Sequence, residues 1–104
     1  MNPDGYQIRS SRYAIFPEDH TMQYLVLGLC SEAGELASKL KKQIRDETPI
    51  TKQDLSREVG DVLWYCAQIL TANGIYLEDC MKANIEKLES RLQRGTLQGS
   101  GDHR

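Results

Sequence analysis

The chain is short of the residues that build soft-metal and redox centres. Its two histidines, His20 and His103, stand alone, with no carboxylate or nucleophile at a spacing that makes a triad. Its three cysteines, Cys30, Cys66 and Cys80, are odd in number and far apart. No CxxC or Cys/His spacing occurs, which argues against a disulfide framework and a zinc site. Each cysteine falls in an apolar helical context and reads as a small buried hydrophobe in a reducing compartment. No stretch approaches the roughly 18 apolar residues of a membrane span, and MNPDGYQIRS lacks the apolar centre of a secretory leader. A cytoplasmic location is the expectation. A formal charge of −2 and a pI of about 5.6 give no pull toward nucleic acid or an anionic membrane, and neither is expected as a partner. Strand-type alternation is weak, and there is no internal repeat.

The pattern that remains is helical. With 104 residues the chain is expected to form one domain, 1–104, small enough to leave much surface exposed and to favour oligomerisation. Residues 1–18, with Pro3, Gly5 and Pro17, read as an irregular, flexible arm. Leu25, Leu29, Ala33, Leu36, Leu40 and Ile44 step by three and four and predict a helix over about 19–45. Pro49 disfavours helix at Thr48. Thr51, with Asp54 three residues on, starts a second helix over about 52–73 with Leu55, Val59, Val62, Cys66, Ile69 and Leu70 inward. Asn73-Gly74 ends it. A third helix over about 77–94 carries Leu77, Met81, Ile85, Leu88 and Leu92 and stops at Gly95. The tail 96–104, with its GSG, is expected to be flexible when free. The fold class is all-α, a helical hairpin plus a third helix that completes a four-helix-type bundle on dimerisation.

Two acidic pairs flank the apolar stripes. At about 100° per residue, Glu32 lies about 60° and Glu35 about 120° to one side of the first stripe, with Lys39 between them. Glu58 and Asp61 lie about 40° and 100° from Val62 on the second helix, with Tyr65 between. An i, i+3 spacing brings each pair to one patch. An antiparallel hairpin lets the two pairs face one another. Half-buried and unpaired, such carboxylates are costly, so the cluster calls for shared protons or a divalent cation. All-oxygen ligands suit a hard ion, Mg²⁺ first and Mn²⁺ second. Either pair alone reads more simply as ordinary solvated helix acids, Glu35 and Lys39 making an i, i+4 pair; two pairs at matched spacing beside the stripes favour the cluster.

The third helix carries the opposite charge. Asn84 points almost inward, with Lys87 and Arg91 to one side. The amide suits a base or sugar hydroxyl, and the two cations suit phosphate oxygens. A solvated basic edge near a helix C-terminus is the plainer alternative. Trp64 points away from the stripe of its helix, over Gly60, and suggests that a second subunit docks there. Tyr65, on the carboxylate side, is the better aromatic for substrate.

LGLCSEAGELASKLKK, EVGDVLWYCAQIL and NIEKLESRLQRG, with Glu32-x-x-Glu35, 22 intervening residues, then Glu58-x-x-Asp61, resemble the MazG-like nucleotide pyrophosphohydrolases of the all-α NTP pyrophosphatase superfamily. The likeness covers about 20–95. It departs where the family often has a further glutamate just before the first pair, since Ser31 stands there. The resemblance implies hydrolysis of a (d)NTP between the α and β phosphates to the monophosphate and pyrophosphate. It also implies Mg²⁺ held by Glu32, Glu35, Glu58 and Asp61, and a homodimer or homotetramer. Glu32 and Glu35 are the first candidates for general base, and Lys39, Tyr65, Asn84, Lys87 and Arg91 for substrate binding. Rival expectations are a phosphoribosyl-ATP pyrophosphohydrolase and a non-catalytic helical adaptor. A di-iron bundle is disfavoured, because no Glu-x-x-His pattern occurs.

Overall fold

A computed structural model describes residues 1–104. It contains helices and turns only: α1 (Pro3–Ser10), two single 3₁₀ turns, α2 (Thr21–Asp46), α3 (Lys52–Ala72) and α4 (Leu77–Gln93). The three long helices fall where apolar periodicity predicts them. Their ends follow from named residues. Glu47 adopts a left-handed conformation, φ 54°, and closes α2 just before Thr48-Pro49. Thr51 caps α3, its hydroxyl accepting from the Asp54 amide at 3.1 Å. Gly74 and Gly95 take φ 68° and 70°, and the next amides, Ile75 and Thr96, bond back to the Leu70 and Arg91 carbonyls. Both stops use the freedom of glycine at positive φ.

The arm corrects the expectation. Residues 3–10 are helical, not irregular. Asn2 caps this helix, its side-chain oxygen accepting from the Gly5 amide at 2.7 Å, and Pro3 opens it, where a missing N–H does no harm. Its tertiary bonds hold it in place. The Gln7 Nε2 donates to the Thr71 hydroxyl at 3.1 Å and the Ile75 carbonyl at 2.8 Å, while its Oε1 accepts from the Leu77 amide at 2.8 Å. Asp4 accepts from the Glu78 amide at 3.1 Å. Tyr76, at the start of α4, supplies no side-chain cap, so α1 caps α4 from outside. The Trp64 indole donates to the Ser10 carbonyl at 3.1 Å, and Gln68 donates to the Ser10 hydroxyl at 2.8 Å. A helix therefore docks over Trp64 as expected, but it is the chain's own α1 and not a second subunit.

The hairpin α2–α3 is the main packed unit. Pairs such as Lys39 with Glu58 and Gly28 with Tyr65 run in opposite numerical directions, so the helices are antiparallel. Only two apolar residues, Leu25 and Ala67, are fully buried. The expected stripes are largely uncovered in one chain. Ile44 is 82% exposed, Leu40 50%, Val59 45%, Ile85 58% and Leu92 63%. Ala33, Leu55, Met81 and Leu88 are exposed as well. Cys30 and Cys80 are exposed and Cys66 half-buried, against the expectation that all three are interior. The reason lies in α4, which packs against α1 and makes no extensive contact with α2 or α3. The radius of gyration is accordingly 16.5 Å, where a compact chain of this length has roughly 13 Å. No helix is long and apolar enough to cross a membrane.

Candidate metal centre

The α2–α3 register places one carboxylate of α2 against two of α3. Glu32, Glu58 and Asp61 each offer an oxygen, and these oxygens lie within 4.8 Å of one another. Glu58 and Asp61 share a patch because they are three residues apart on α3. Glu32 and Glu58 are half-buried and Asp61 is exposed. Burial raises the Glu32 carboxyl above its ordinary range, and the charges of Asp61, Glu58 and Glu35 push the same way.

Glu58 shows most directly what the cluster lacks. Its side chain is only 14% exposed, and one oxygen, Oε1, stands 3.5 Å from the Lys39 Nζ. The other, Oε2, is buried with no hydrogen-bond partner. A buried carboxylate oxygen without a donor, facing two further acids, is an arrangement a cation relieves. The donor set is all oxygen, with no histidine or thiolate, and so fits a hard divalent ion. Glu35 is exposed and falls outside this trio, although its charge reaches Glu32. Lys39 pairs across the hairpin with Glu58 and not along its own helix with Glu35.

Tyr65 is brought to the centre by Gly28. Its Cε1 and Cζ atoms occupy the space that a β-carbon on Gly28 would need, and Cδ1 comes within 2.8 Å of that point. Burial raises its phenol, and Tyr24, Glu32 and Asp61 beside it add to the effect. Trp64 meets its edge, with ring centroids 5.0 Å apart at 89°. Tyr6 on α1 is a neighbour that sequence reasoning missed. Its phenol is raised by burial and by Asp61. Nothing in an arm read as irregular pointed to it.

The α4 residues are not brought to the carboxylates within one chain. Asn84, expected inward, is exposed, because no helix of the same chain covers that face. Lys87 and Arg91 converge instead on Asp102 in the tail. The Lys87 Nζ stands 2.9 Å from the Asp102 Oδ1, and Arg91 reaches the same oxygen at 3.2 Å and also the Asp102 carbonyl. Both cations hold Asp102 below the usual carboxylate range, Lys87 the more strongly. The tail is folded back at this point. The Arg104 guanidinium donates to the Thr96, Leu97 and Gly101 carbonyls, and Arg94 donates to the Arg104 carbonyl at 2.9 Å.

An antiparallel helical hairpin with an interhelical carboxylate cluster defines an all-helical, acid-centred domain. Comparison with known proteins gives this class a family. Residues 20–95 match the MazG nucleotide pyrophosphohydrolase domain, and the chain belongs to that family. It is 41% identical to the Gene 37 protein of Mycobacterium phage L5 over the full length of both chains. It is 38% identical to the uncharacterized protein YvdC of Bacillus subtilis (strain 168), over 62% of this chain and 70% of that one. No solved structure matches it significantly.

Proposed function

We propose that the protein is a Mg²⁺-dependent nucleoside triphosphate pyrophosphohydrolase, releasing pyrophosphate and a (d)NMP. The observation that carries the reading is the trio Glu32, Glu58 and Asp61, with one oxygen from each within 4.8 Å of the others, together with the unpartnered buried Oε2 of Glu58. A triphosphate is strongly anionic, and these acids alone would repel it. A hard divalent ion at this position reverses the local sign, makes bound water more acidic and offsets charge on the phosphate oxygens.

The chain's own residues divide the remaining work. Glu32, Glu58 and Asp61 hold the ion. Glu35, outside the trio and one turn from Glu32, is the carboxylate left free to accept the proton of the attacking water. Lys39 is loosely held at 3.5 Å by Glu58 and is 34% exposed, so it can turn to a phosphate oxygen once the carboxylate has a better partner. Tyr65 lies over the same centre. Asn84, Lys87 and Arg91 complete the substrate site from a second copy. The bare apolar faces of α2, α3 and α4 support a homodimer that buries them, and such a dimer is where one copy's α4 meets the other's hairpin.

A panel of nucleoside triphosphates incubated with Mg²⁺ and assayed for pyrophosphate tests the reading. Release of pyrophosphate that stops with a chelator and in Glu58→Gln is the expected result. Cleavage of phosphoribosyl-ATP alone, or no cleavage at all, overturns it.

A further inference from the structure

Residues 96–104 are folded back on α4, and side chains do most of the holding. The backbone bond that reaches α4 runs from the Thr96 amide to the Arg91 carbonyl. Leu97 lines a shallow hollow with Ile85, Leu88 and Leu92 of the helix. Gly101, at φ 84°, turns the chain and brings Asp102 onto the α4 cations. Arg104 closes the loop. Its guanidinium donates to the Thr96, Gly101 and Leu97 carbonyls at 3.1, 2.6 and 3.0 Å, and its own carbonyl accepts from Arg94 at 2.9 Å. The fit beneath this loop is incomplete. A single carboxylate oxygen, Asp102 Oδ1, serves both the Lys87 ammonium and the Arg91 guanidinium, although the Asp102 side chain is 74% exposed. The Arg91 side chain is only 5% exposed, yet its Nε has no partner, and the Thr96 hydroxyl is buried and unpaired as well. Buried N–H and O–H groups left idle are costly, and an anion with more oxygens than one carboxylate satisfies them better.

We propose that residues 96–104 form a displaceable strap, latched by Arg104, that lays Asp102 on Lys87 and Arg91 and keeps those cations from an oligophosphate until it lifts. The proposal rests on the triphosphate reading above and adds to it a regulation of the same phosphate contacts. The strap is built to lift. It has neither a helix nor a strand of its own, and exposed side-chain bonds hold it, which places it at the low-stability end of the fold. An oligophosphate brings more charge and more acceptor oxygens to Lys87 and Arg91 than Asp102 does, so it displaces the strap by competing for the same donors. Linkage makes the effect reciprocal: whatever loosens the strap tightens the anion. Arg104 is a positioning residue in this scheme. It holds carbonyls of the strap and touches neither Lys87 nor Arg91.

The sign of one substitution tests the strap. Arg104→Gln removes a positive charge, which by plain electrostatics weakens the binding of an anion. Release of the strap works the other way. Binding of inorganic tripolyphosphate is measured by calorimetry in the wild type, Arg104→Gln and Lys87→Gln, without divalent ion, so that the α4 cations and not the carboxylate trio are read. Arg104→Gln is expected to lower the Kd about threefold, as when a site open in about one molecule of three becomes open in nearly all. Lys87→Gln is expected to raise it, which places the anion on α4. A Kd unchanged or raised in Arg104→Gln overturns the proposal, and so does a Kd indifferent to Lys87→Gln. Tripolyphosphate bound by Arg104→Gln alone, and not detectably by the wild type, supports it; binding by neither ends it. Calorimetry needs no turnover. A protein inactive on every triphosphate therefore loses the activity reading, and the Kd comparison still decides the strap. In an active protein the KM for a triphosphate should fall in Arg104→Gln alongside the Kd.

Discussion

The Lys39 ammonium of α2 stands 3.5 Å from the Oε1 of Glu58 on α3, and the second oxygen of that carboxylate has no partner. Lys39 therefore supplies one positive charge against the three carboxylates of the cluster. It also competes with the ion that would supply the rest. Lys39→Met is expected to tighten Mn²⁺ binding to the apo protein, by about threefold for a part-exposed pair. If Lys39 then turns to substrate, the same variant raises KM for a triphosphate. Calorimetric Mn²⁺ titration and steady-state kinetics read the two effects separately. A variant that loses metal affinity would mean that Lys39 organises the site instead of opposing the ion.

Glu32 gives the pH dependence its sign. Burial and the charges of Asp61, Glu58 and Glu35 raise its folded-state pKa above the ordinary 4.5. Between those two values the folded chain holds a proton that the unfolded chain has lost. That part of the stability is fully present below about pH 4.5 and is lost as pH rises through the folded pKa. Melting curves in chelator are expected to show a fall in Tm across this window. Divalent-ion affinity moves the opposite way, rising as Glu32 deprotonates. With Mg²⁺ present the fall in Tm should shrink or vanish.

Gln7 ties three elements together through its bonds to Thr71, Ile75 and Leu77. It is 6% exposed, so water replaces those bonds poorly. Gln7→Ala removes one of the two outside caps on the first turn of α4 and leaves the other, Asp4 on the Glu78 amide. A loss of about 2–3 kcal/mol is expected from urea unfolding, the sum of a few net hydrogen bonds plus groups left unsatisfied. Exchange of the Leu77 and Glu78 amides should accelerate most.

The three long helices were legible because each carries a 3.6-residue pattern and local stop signals: Thr51 at one start, Gly74 and Gly95 at two ends. The pairing of Glu32 with Glu58 and Asp61 was also legible, since i, i+3 spacing and an antiparallel hairpin determine it. Helix α1 was not. Its start residues Asn2 and Pro3 were there to read, but its stability comes from Gln7, Ser10 and Trp64 bonds across the fold, which no local pattern encodes. Angular arithmetic put Glu35 beside Glu32, yet it cannot tell a carboxylate that meets the opposite helix from one that misses by a side-chain length. The same arithmetic called Leu40, Ile44 and Leu55 inward. Apolar periodicity marks a face that needs cover, and it is silent on whether the cover belongs to the same chain.

Asp102 shields the two cations best suited to phosphate, Lys87 and Arg91, at 2.9 and 3.2 Å. On the proposed function its carboxylate stands where a substrate phosphate would bind. Asp102→Asn removes that charge and keeps the shape. Inorganic tripolyphosphate is expected to inhibit the variant about threefold more tightly, in keeping with the modest worth of ion pairs to a solvent-exposed carboxylate. The difference should shrink in high salt. Equal inhibition would place the phosphates away from Lys87 and Arg91.

The separation of α4 from the carboxylate hairpin leads to the last expectation. Within one chain Arg91 bonds the tail while Glu58 faces Glu32, and the helix that carries Arg91 packs chiefly on α1. If the substrate site combines the hairpin of one copy with α4 of another, two defects can complement. Glu58→Gln lacks a metal ligand and Arg91→Ala lacks a phosphate contact, and each is expected to be nearly inactive alone. Mixed, unfolded and refolded together in equal amounts, half of the dimers carry one of each. In such a dimer one site takes both defects and the other takes neither. About a quarter of wild-type activity should return, a proportion fixed by the twofold symmetry of the assembly. Were each site built within a single chain, no mixture of the two would exceed the activity of its parts.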